Sequence, residues 1–246
     1  MPTLNRERYS FHRTQRGRRP EAVHRRKVKR KEAAMKNLIV GLLCATLLGG
    51  CGAHRMTPIE PQAAGDLKPE VEDADGGLVG MRPDFAPKAY AAIILMPFKV
   101  VPTEIKDDED IRLAKDMVAY LQTQLLKKLQ AAGIFAKVID ATASATTSGE
   151  KALRLEGDMT KLTEGSQALR YFVGFGAGAA KAQIETRLLD VQSRRIELVT
   201  ADRRAAGMGI FGGDGRQFVT ESMDQMAEGY VKLLKHLSNG GRPGAR

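Results

Sequence analysis

Cysteine, histidine and aromatic residues are scarce in this sequence, which narrows the kinds of site that it can form. Of the 246 residues, two are cysteine and four are histidine, tryptophan is absent, and aromatic residues make up 5%. Cys44 lies inside an apolar run, which leaves Cys51 as the single cysteine of the remaining chain, so no internal disulfide is predicted there. Beyond Cys51 the histidines are His54 and His236. We therefore predict no zinc site, no Cys/His catalytic pair, no metal and no cofactor.

An excess of basic charge is also lacking outside the first segment. Residues 1–34 contain twelve Lys and Arg against three acidic residues, whereas the chain from Cys51 onwards contains 26 of each sign. The net charge of +10 thus arises ahead of Cys51. Because a neutral domain lacks the basic surface that binds phosphates, no nucleic-acid partner is predicted.

An uncharged apolar run, Asn37–Gly50, is too short to span a membrane. Its fourteen residues would rise about 21 Å as a helix, whereas the hydrocarbon core is about 30 Å thick. With a basic residue before it, the run is typical of a secretory signal peptide. Its end resembles the lipobox of bacterial prolipoproteins, in which small residues fit the signal peptidase and a thiol receives the lipid. We therefore predict removal of residues 1–50 and lipid on the last residue of the motif Leu48, Gly49, Gly50 and Cys51.

The segments on either side of this run have their own interpretations. Three hypotheses account for residues 1–34: a mis-assigned start codon with the true start at Met35, an extended basic leader, or a nucleic-acid-binding arm. The arm would have to survive maturation, so we favour the start at Met35. Residues 51–88 are rich in Gly, Pro, Asp and Ala, which predicts a flexible tether. Because Gly52 rather than aspartate follows the cysteine, we expect an outer-membrane lipoprotein that faces the periplasm, with the cell surface as an open alternative.

Apolar periodicity predicts one globular domain over residues 89–238 and a disordered tail over 239–246. A strand is expected near 90–97, a helix over 107–132 that ends before Gly133, and a second strand over 135–139. Period-two alternation then predicts antiparallel strands near 153–159, 182–188 and 196–198, and a closing helix spans 214–237. The order β-α-β-β-β-β-α predicts an α+β two-layer sandwich with both helices on one face of a mixed sheet.

The most distinctive segment lies between the third and fourth of these strands. It runs Arg170-Tyr-Phe-Val-Gly-Phe-Gly-Ala-Gly-Ala-Ala-Lys181 and leads to Asp190 at the end of the next strand. This pattern resembles a bacterial lipoprotein family classed as domain of unknown function DUF4410, over roughly residues 89–236. The resemblance implies a compact α+β domain in the cell envelope, and the family name carries no activity. Where the family usually has Thr-Gly after the aspartate, this chain has Gln192-Ser193-Arg194.

Three glycines in that segment, Gly174, Gly176 and Gly178, leave several interpretations open. Their spacing is near that of a dinucleotide-binding loop, but such a loop opens a helix, and here a strand is predicted to follow. The aromatic cluster over residues 171–175 could instead contact a membrane interface or a partner. We favour a structural role, in which the glycines permit close backbone packing or a positive φ.

No pattern predicts a catalytic set. Glu156, Asp158 and Glu185 fall on polar strand positions and could share one face, which is the one indication of a cation site. Our main hypothesis is a non-enzymatic, lipid-anchored envelope protein that binds another envelope component. The alternatives are an accessory or pore-forming element of a secretion or assembly system, and an enzyme, which no residue set supports. The sequence does not predict an oligomeric state.

Overall fold

The computed structural model describes residues 53–101, 105, 107–141, 149–165, 179–206 and 214–244. These residues form a nine-stranded mixed sheet and two long helices. The strands are β1 Ala53–Met56, β2 Val71–Asp73, β3 Gly77–Met81, β4 Ala92–Leu95, β5 Lys99–Val100, β6 Lys137–Asp140, β7 Ala152–Thr163, β8 Lys181–Asp190 and β9 Ile196–Ala206, and the helices are α1 Asp108–Ala132 and α2 Gly215–Ser238.

The sheet has the strand order β2-β3-β9-β8-β7-β4-β6, with β1 paired to β9 and β5 paired to β7. β4 runs parallel to β6 and β7, and β5 runs parallel to β7, whereas the remaining pairs are antiparallel. The strand-helix-strand unit β4-α1-β6 therefore has parallel strands. The predicted α+β architecture, with two helices packed against a mixed sheet, is confirmed.

Both helices begin at a capping aspartate. The Asp107 carboxylate accepts a hydrogen bond from the Glu109 N–H at 2.8 Å, and the Asp214 carboxylate accepts one from the Arg216 N–H at 3.0 Å. Each cap satisfies a backbone donor that the first helical turn leaves free. α1 ends at Gly133, whose φ of 62° is the left-handed conformation that favours glycine.

The core lies between the helices and one face of the sheet, which we call the helix face. α1 and α2 bury leucine, methionine and valine side chains against the central strands. Gly157 in β7 is required there because a Cβ at this position would overlap the ring of Phe98. The core side chains that are fully buried include Ile93, Leu113, Leu121, Leu125, Leu129, Leu153, Leu155, Met159, Leu188 and Leu198.

Residues 53–81 form three strands, which corrects the prediction of a flexible tether over 51–88. β1 pairs with β9 from Ala53 opposite Ala206, and β3 pairs with β9 from Leu78 opposite Ala201. These strands are three to five residues long, too short to produce a clear alternation in a Gly- and Pro-containing segment. Pairing with a long neighbour, rather than local pattern, therefore determines their structure.

The predicted disordered tail over 239–246 is also wrong for the residues that the structure describes. The Arg242 guanidinium donates to the Pro83 carbonyl at 2.7 Å, and the Gly244 N–H donates to the Asp73 carboxylate at 3.1 Å. The segment after α2 thus packs against the start of the domain.

The sheet face opposite the helices, which we call the outer face, is partly covered by the segment between β1 and β2. The Ile59 N–H donates to the Gln183 side-chain oxygen at 2.9 Å, and the Gln183 amide donates to the Ile59 carbonyl at 3.0 Å. Further along, the Gln62 N–H donates to Glu185 at 2.8 Å. These bonds leave Gln183 fully buried, so the central strand β8 is covered on both faces at this point.

No helix within the described ranges has both the length and the apolar character needed to cross a membrane.

Candidate functional site

A buried polar cluster lies where β1 joins β9 on the helix face. Arg55 is opposite Arg204 in the strand register, and Asp202 lies two residues earlier in β9 on the same face. The Asp202 carboxylate accepts hydrogen bonds from Arg55 Nε and Nη2, both at 2.9 Å, and from Arg204 Nη2 at 3.1 Å. Arg204 also donates to Gln225 of α2 at 2.9 Å. Asp202 is 7% exposed, so its charge is neutralised mainly by these two arginines.

The turn between β2 and β3 supplies the remaining partners of Arg55. The Arg55 guanidinium donates to the carbonyl oxygens of Asp73 at 3.2 Å, of Ala74, and of Asp75 at 2.6 Å. The turn also packs closely against α2 at Gly229, where a Cβ would overlap the Asp75 carbonyl. We name Arg55, Asp202, Arg204 and the three carbonyls the Arg55 clasp. It fixes β1, the first strand after Cys51, to β9 and to the turn.

Beside the clasp is a cavity of about 20 Å³, room for about one water molecule. Its lining includes Thr186 and Thr200, whose hydroxyls are 2.7 Å apart, and Tyr230. Burial raises the pKa of Tyr230 well above its ordinary value. A cavity of this size suits a structural water and is far too small for a substrate.

A second polar cluster lies on the outer face of β7 and β8. Glu156 is 2.9 Å from Arg154 and 2.6 Å from Arg187, and Arg187 is 3.0 Å from Asp158. Burial lowers the pKa of Arg187, but the hydrogen bonds and charges of Glu156 and Asp158 outweigh that effect and raise it overall. We name these four residues the outer charged strip. Their side chains remain 19 to 43% exposed.

The three carboxylates that indicated a cation site in the sequence lie in or beside the outer charged strip. Glu156, Asp158 and Glu185 share one face, as the sequence predicted, because Glu185 is opposite Asp158 in the register. However, arginines hold the first two, and Glu185 accepts hydrogen bonds from Thr160 and Gln183, both at 3.0 Å. Across the described part of the chain, no group of three or more His, Cys, Asp or Glu is placed to hold a metal ion.

The β8–β9 turn shows how this chain departs from the usual family pattern. The Asp190 carboxylate accepts hydrogen bonds from the Gln192 N–H at 2.8 Å and the Ser193 N–H at 2.9 Å. Burial alone would raise the pKa of Asp190, but these bonds and one from the Tyr90 hydroxyl lower it. Arg194 has a φ of 58°, the conformation in which glycine is most favourable. Residues 190–194 thus form the hairpin turn between β8 and β9.

Several residues singled out from the sequence lie outside the described residues, and their roles stay predictions: Leu48, Gly49, Gly50, Cys51, Gly174, Gly176 and Gly178. Of the two histidines, His54 lies exposed on β1, and a ring nitrogen of His236 is 3.2 Å from the Arg242 carbonyl.

Sequence reasoning missed the Arg55 clasp, although β9 carries a signal of it. Continuing the alternation from Leu198 places Thr200, Asp202 and Arg204 on the buried side of the strand. Two charged residues at core-facing positions indicate a buried ion pair. The partner Arg55 could not be found in this way, because β1 itself was not predicted.

Among the solved structures that match this chain, two have low sequence identity and low structural overlap. A PelC dodecamer from Paraburkholderia phytofirmans has 14% identity and a TM-score of 0.36, over 60% of this chain and 94% of that chain. Protein XCC0632 from Xanthomonas campestris, described as DUF330, has 14% identity and a TM-score of 0.37, over 65% of this chain and 94% of that chain. Likenesses at this level say nothing about function. A search of curated proteins finds no match.

The family comparison is more informative. The model of the family described as "Domain of unknown function (DUF4410)" matches residues 93–226, which is more than half of the chain. The matched range runs from β4 into α2 and includes the outer charged strip, the Asp190 turn and the β9 half of the clasp. The chain therefore belongs to the DUF4410 family.

Proposed function

We propose that this protein is a lipid-anchored protein of the bacterial envelope whose domain binds another envelope component without catalysing a reaction. The observation that carries the proposal is a lipobox-like motif ending at Cys51, after which the folded domain begins at Ala53. The resemblance to a lipoprotein family supports the same assignment. Gly52 after the cysteine favours the outer membrane.

The Arg55 clasp supports this function mechanically. A strand that directly follows a lipid anchor carries any force between the bilayer and the domain. A four-residue strand held by backbone bonds alone would fray easily, because chain termini are poorly ordered unless they are tied down. The clasp ties β1 to the long strand β9 through charge-assisted hydrogen bonds.

We assign the partner surface to the outer charged strip. Its four side chains alternate in charge and are partly exposed, and neither helix covers them. Such a surface suits a polar partner of complementary charge pattern, since charge complementarity sets specificity and the rate of encounter.

The partner surface is tested by charge reversal at the strip. Arg154→Glu should abolish co-purification of the partner with the tagged lipoprotein from detergent-solubilised membranes, because it places like charges side by side. The matched control is Lys137→Glu, which reverses an exposed lysine paired at 2.8 Å with Glu150 at the sheet edge. Equal partner recovery with both variants, at equal melting temperature, would remove the strip as the binding surface.

The anchor is tested at the cysteine. Cys51→Ser should shift the protein from the membrane to a soluble or uncleaved form, because two or three acyl chains hold far more strongly than one. For location, Gly52→Asp should retain the lipoprotein with inner-membrane markers on a sucrose gradient, whereas Gly52→Ala should remain with outer-membrane markers. Unchanged detergent partitioning of Cys51→Ser would contradict the proposed function.

A further inference from the structure

We propose that the end of the sheet where β1 begins is seated directly on the bilayer surface, with no flexible tether between lipid and domain. This inference rests on the proposed lipid at Cys51. Two Cα–Cα steps separate Cys51 from Ala53, so their Cα atoms are at most about 7.6 Å apart. Ala53 is already paired with Ala206 in the sheet. The connection is therefore too short for the domain to move away from the bilayer.

The strand register identifies the residues at this end, which we call the anchor end. Lys181 at the start of β8 is opposite both Thr163 at the end of β7 and Ala205 in β9, the neighbour of the residue paired with Ala53. Both helices also begin here: Asp110 of α1 accepts from the Glu164 N–H at 3.4 Å, and Arg216 of α2 is 3.9 Å from the Glu164 carboxylate. The anchor end thus combines four strand ends and two helix N-termini.

The charges at the anchor end favour one side against the lipid headgroups. Lys161 and Lys181 lie on adjacent strands, and both are partly exposed. The helix side carries exposed Arg216 but also three exposed acidic residues at the start of α1, Asp107, Asp108 and Glu109, so that acidic charge is in excess there. Anionic phospholipid headgroups attract lysines and repel carboxylates close to the surface. The bilayer partner is therefore an anionic phospholipid surface, which the two lysines contact.

This seating determines which surfaces remain free. The β8–β9 turn and the last turn of α2 lie at the opposite end, where Lys88 next to β4 is 3.3 Å from Asn239. The outer charged strip lies midway along β7 and β8. A partner can reach both regions while the anchor end rests on lipid.

Helix α2 provides two labelling positions at different distances from the anchor end. Gln217 and Lys235 are both exposed, near opposite ends of α2, and eighteen residues of helix separate them by about 27 Å. Since Cys51 is acylated in the mature protein, Gln217→Cys and Lys235→Cys would each provide one free thiol for a fluorophore. The purified lipoprotein is placed in vesicles of phosphatidylcholine and phosphatidylglycerol that carry a nitroxide quencher on the headgroup. We expect severalfold stronger quenching at position 217 than at position 235.

Two further variants separate the causes. A twenty-residue Gly/Ser spacer inserted between Gly52 and Ala53, with an average span of about 25 Å, should abolish this difference in pure phosphatidylcholine vesicles. In vesicles that contain phosphatidylglycerol, the spacer variant should keep part of the quenching difference between positions 217 and 235. Replacing both Lys161 and Lys181 by Gln in the spacer variant should remove that remaining difference. A spacer variant that shows the full difference in phosphatidylcholine would contradict the short connection as its cause.

The controls distinguish the two levels of the inference. Equal quenching at positions 217 and 235, on a chain whose mass shows an acylated Cys51, overturns the seating and leaves the anchor standing. A chain without added mass at Cys51 overturns the anchor and the seating together.

Discussion

Replacing Arg55 should destabilise the domain more than any exposed arginine does. Arg55→Ala removes two of the four hydrogen bonds that Asp202 accepts from arginine, and three bonds to the carbonyls of the β2–β3 turn. Breaking a buried ion pair by removing one partner costs about 3–5 kcal/mol. Arg204 still neutralises Asp202, and the Arg55 side chain is 20% exposed, so we expect a loss of about 2–3 kcal/mol.

The assay is urea unfolding of the unlipidated Cys51→Ser chain. A thermal melt provides a second measurement. At about 2–4 °C per kcal/mol for a domain of this size, the melting temperature should fall by roughly 4–12 °C. Arg55→Lys should recover only part of the loss, because one ammonium group cannot replace a bidentate guanidinium. The control Arg216→Ala removes an exposed contact with Asp116 at 3.4 Å and should cost about 0.5 kcal/mol or less. If Arg55→Ala falls within 0.5 kcal/mol of the parent chain, or hydrogen exchange of β1 is unchanged, the clasp does not hold β1.

Three other predictions follow from single positions. Arg194→Gly should raise the free energy of unfolding by about 0.5 kcal/mol in urea melts, because it relieves a left-handed φ at the expense of a more flexible unfolded chain, whereas Ser193→Gly should give no gain. Gly77→Ala should lower the free energy of unfolding by about 2 kcal/mol or more, because Gly77 has a φ of 77° and a Cβ there would overlap the Ala201 carbonyl. The control Gly240→Ala should lower it by only about 1 kcal/mol, because Gly240 has a φ of 82° but open surroundings. The pKa of Asp190 is lower in the folded than in the unfolded chain, so its contribution to the free energy of unfolding is complete above the unfolded pKa of about 4 and is lost as the pH falls through the lower folded pKa. The stability difference between the parent chain and Asp190→Asn should therefore shrink between pH 7 and pH 3, and a difference that stays constant would show that the charge is not involved.

The elements with a strong pattern of their own could be predicted from the sequence. α1 has a cap at Asp107, a regular apolar stripe and a glycine at its end, so each local signal agrees with the fold. The long strands β7, β8 and β9 alternate clearly because one of their faces lies against the helices. The turn at Asp190 is specified by a side chain that bonds its own backbone.

The first three strands could not be predicted, for a physical reason. β1 and β3 pair with β9, which lies more than 100 residues away in the sequence, and β2 pairs with β3. These pairings stabilise all three strands. Gly80 in β3 illustrates this, because it reads as a turn residue but serves to admit the Lys68 carbonyl. A segment whose structure depends on distant partners has no local period, and a tether was the natural interpretation.

In the outer charged strip, too, the sequence pattern predicts which face a residue lies on but not which residues it contacts. Period two placed Glu156 and Asp158 on one face correctly, but the sequence did not reveal that Arg187 lies between them. Whether a pair of carboxylates is open to a cation depends on the strand register, which only the paired sheet provides.

The lipid anchor at Cys51 is the central claim, and the mass of one peptide tests it most directly. Trypsin should release the N-terminal peptide Cys51–Arg55 from the protein extracted from membranes. We predict that this peptide begins at Cys51 and carries the added mass of two or three acyl chains. An unmodified Cys51 inside a longer peptide, or peptides from residues 1–34 on the membrane-bound protein, would contradict the account.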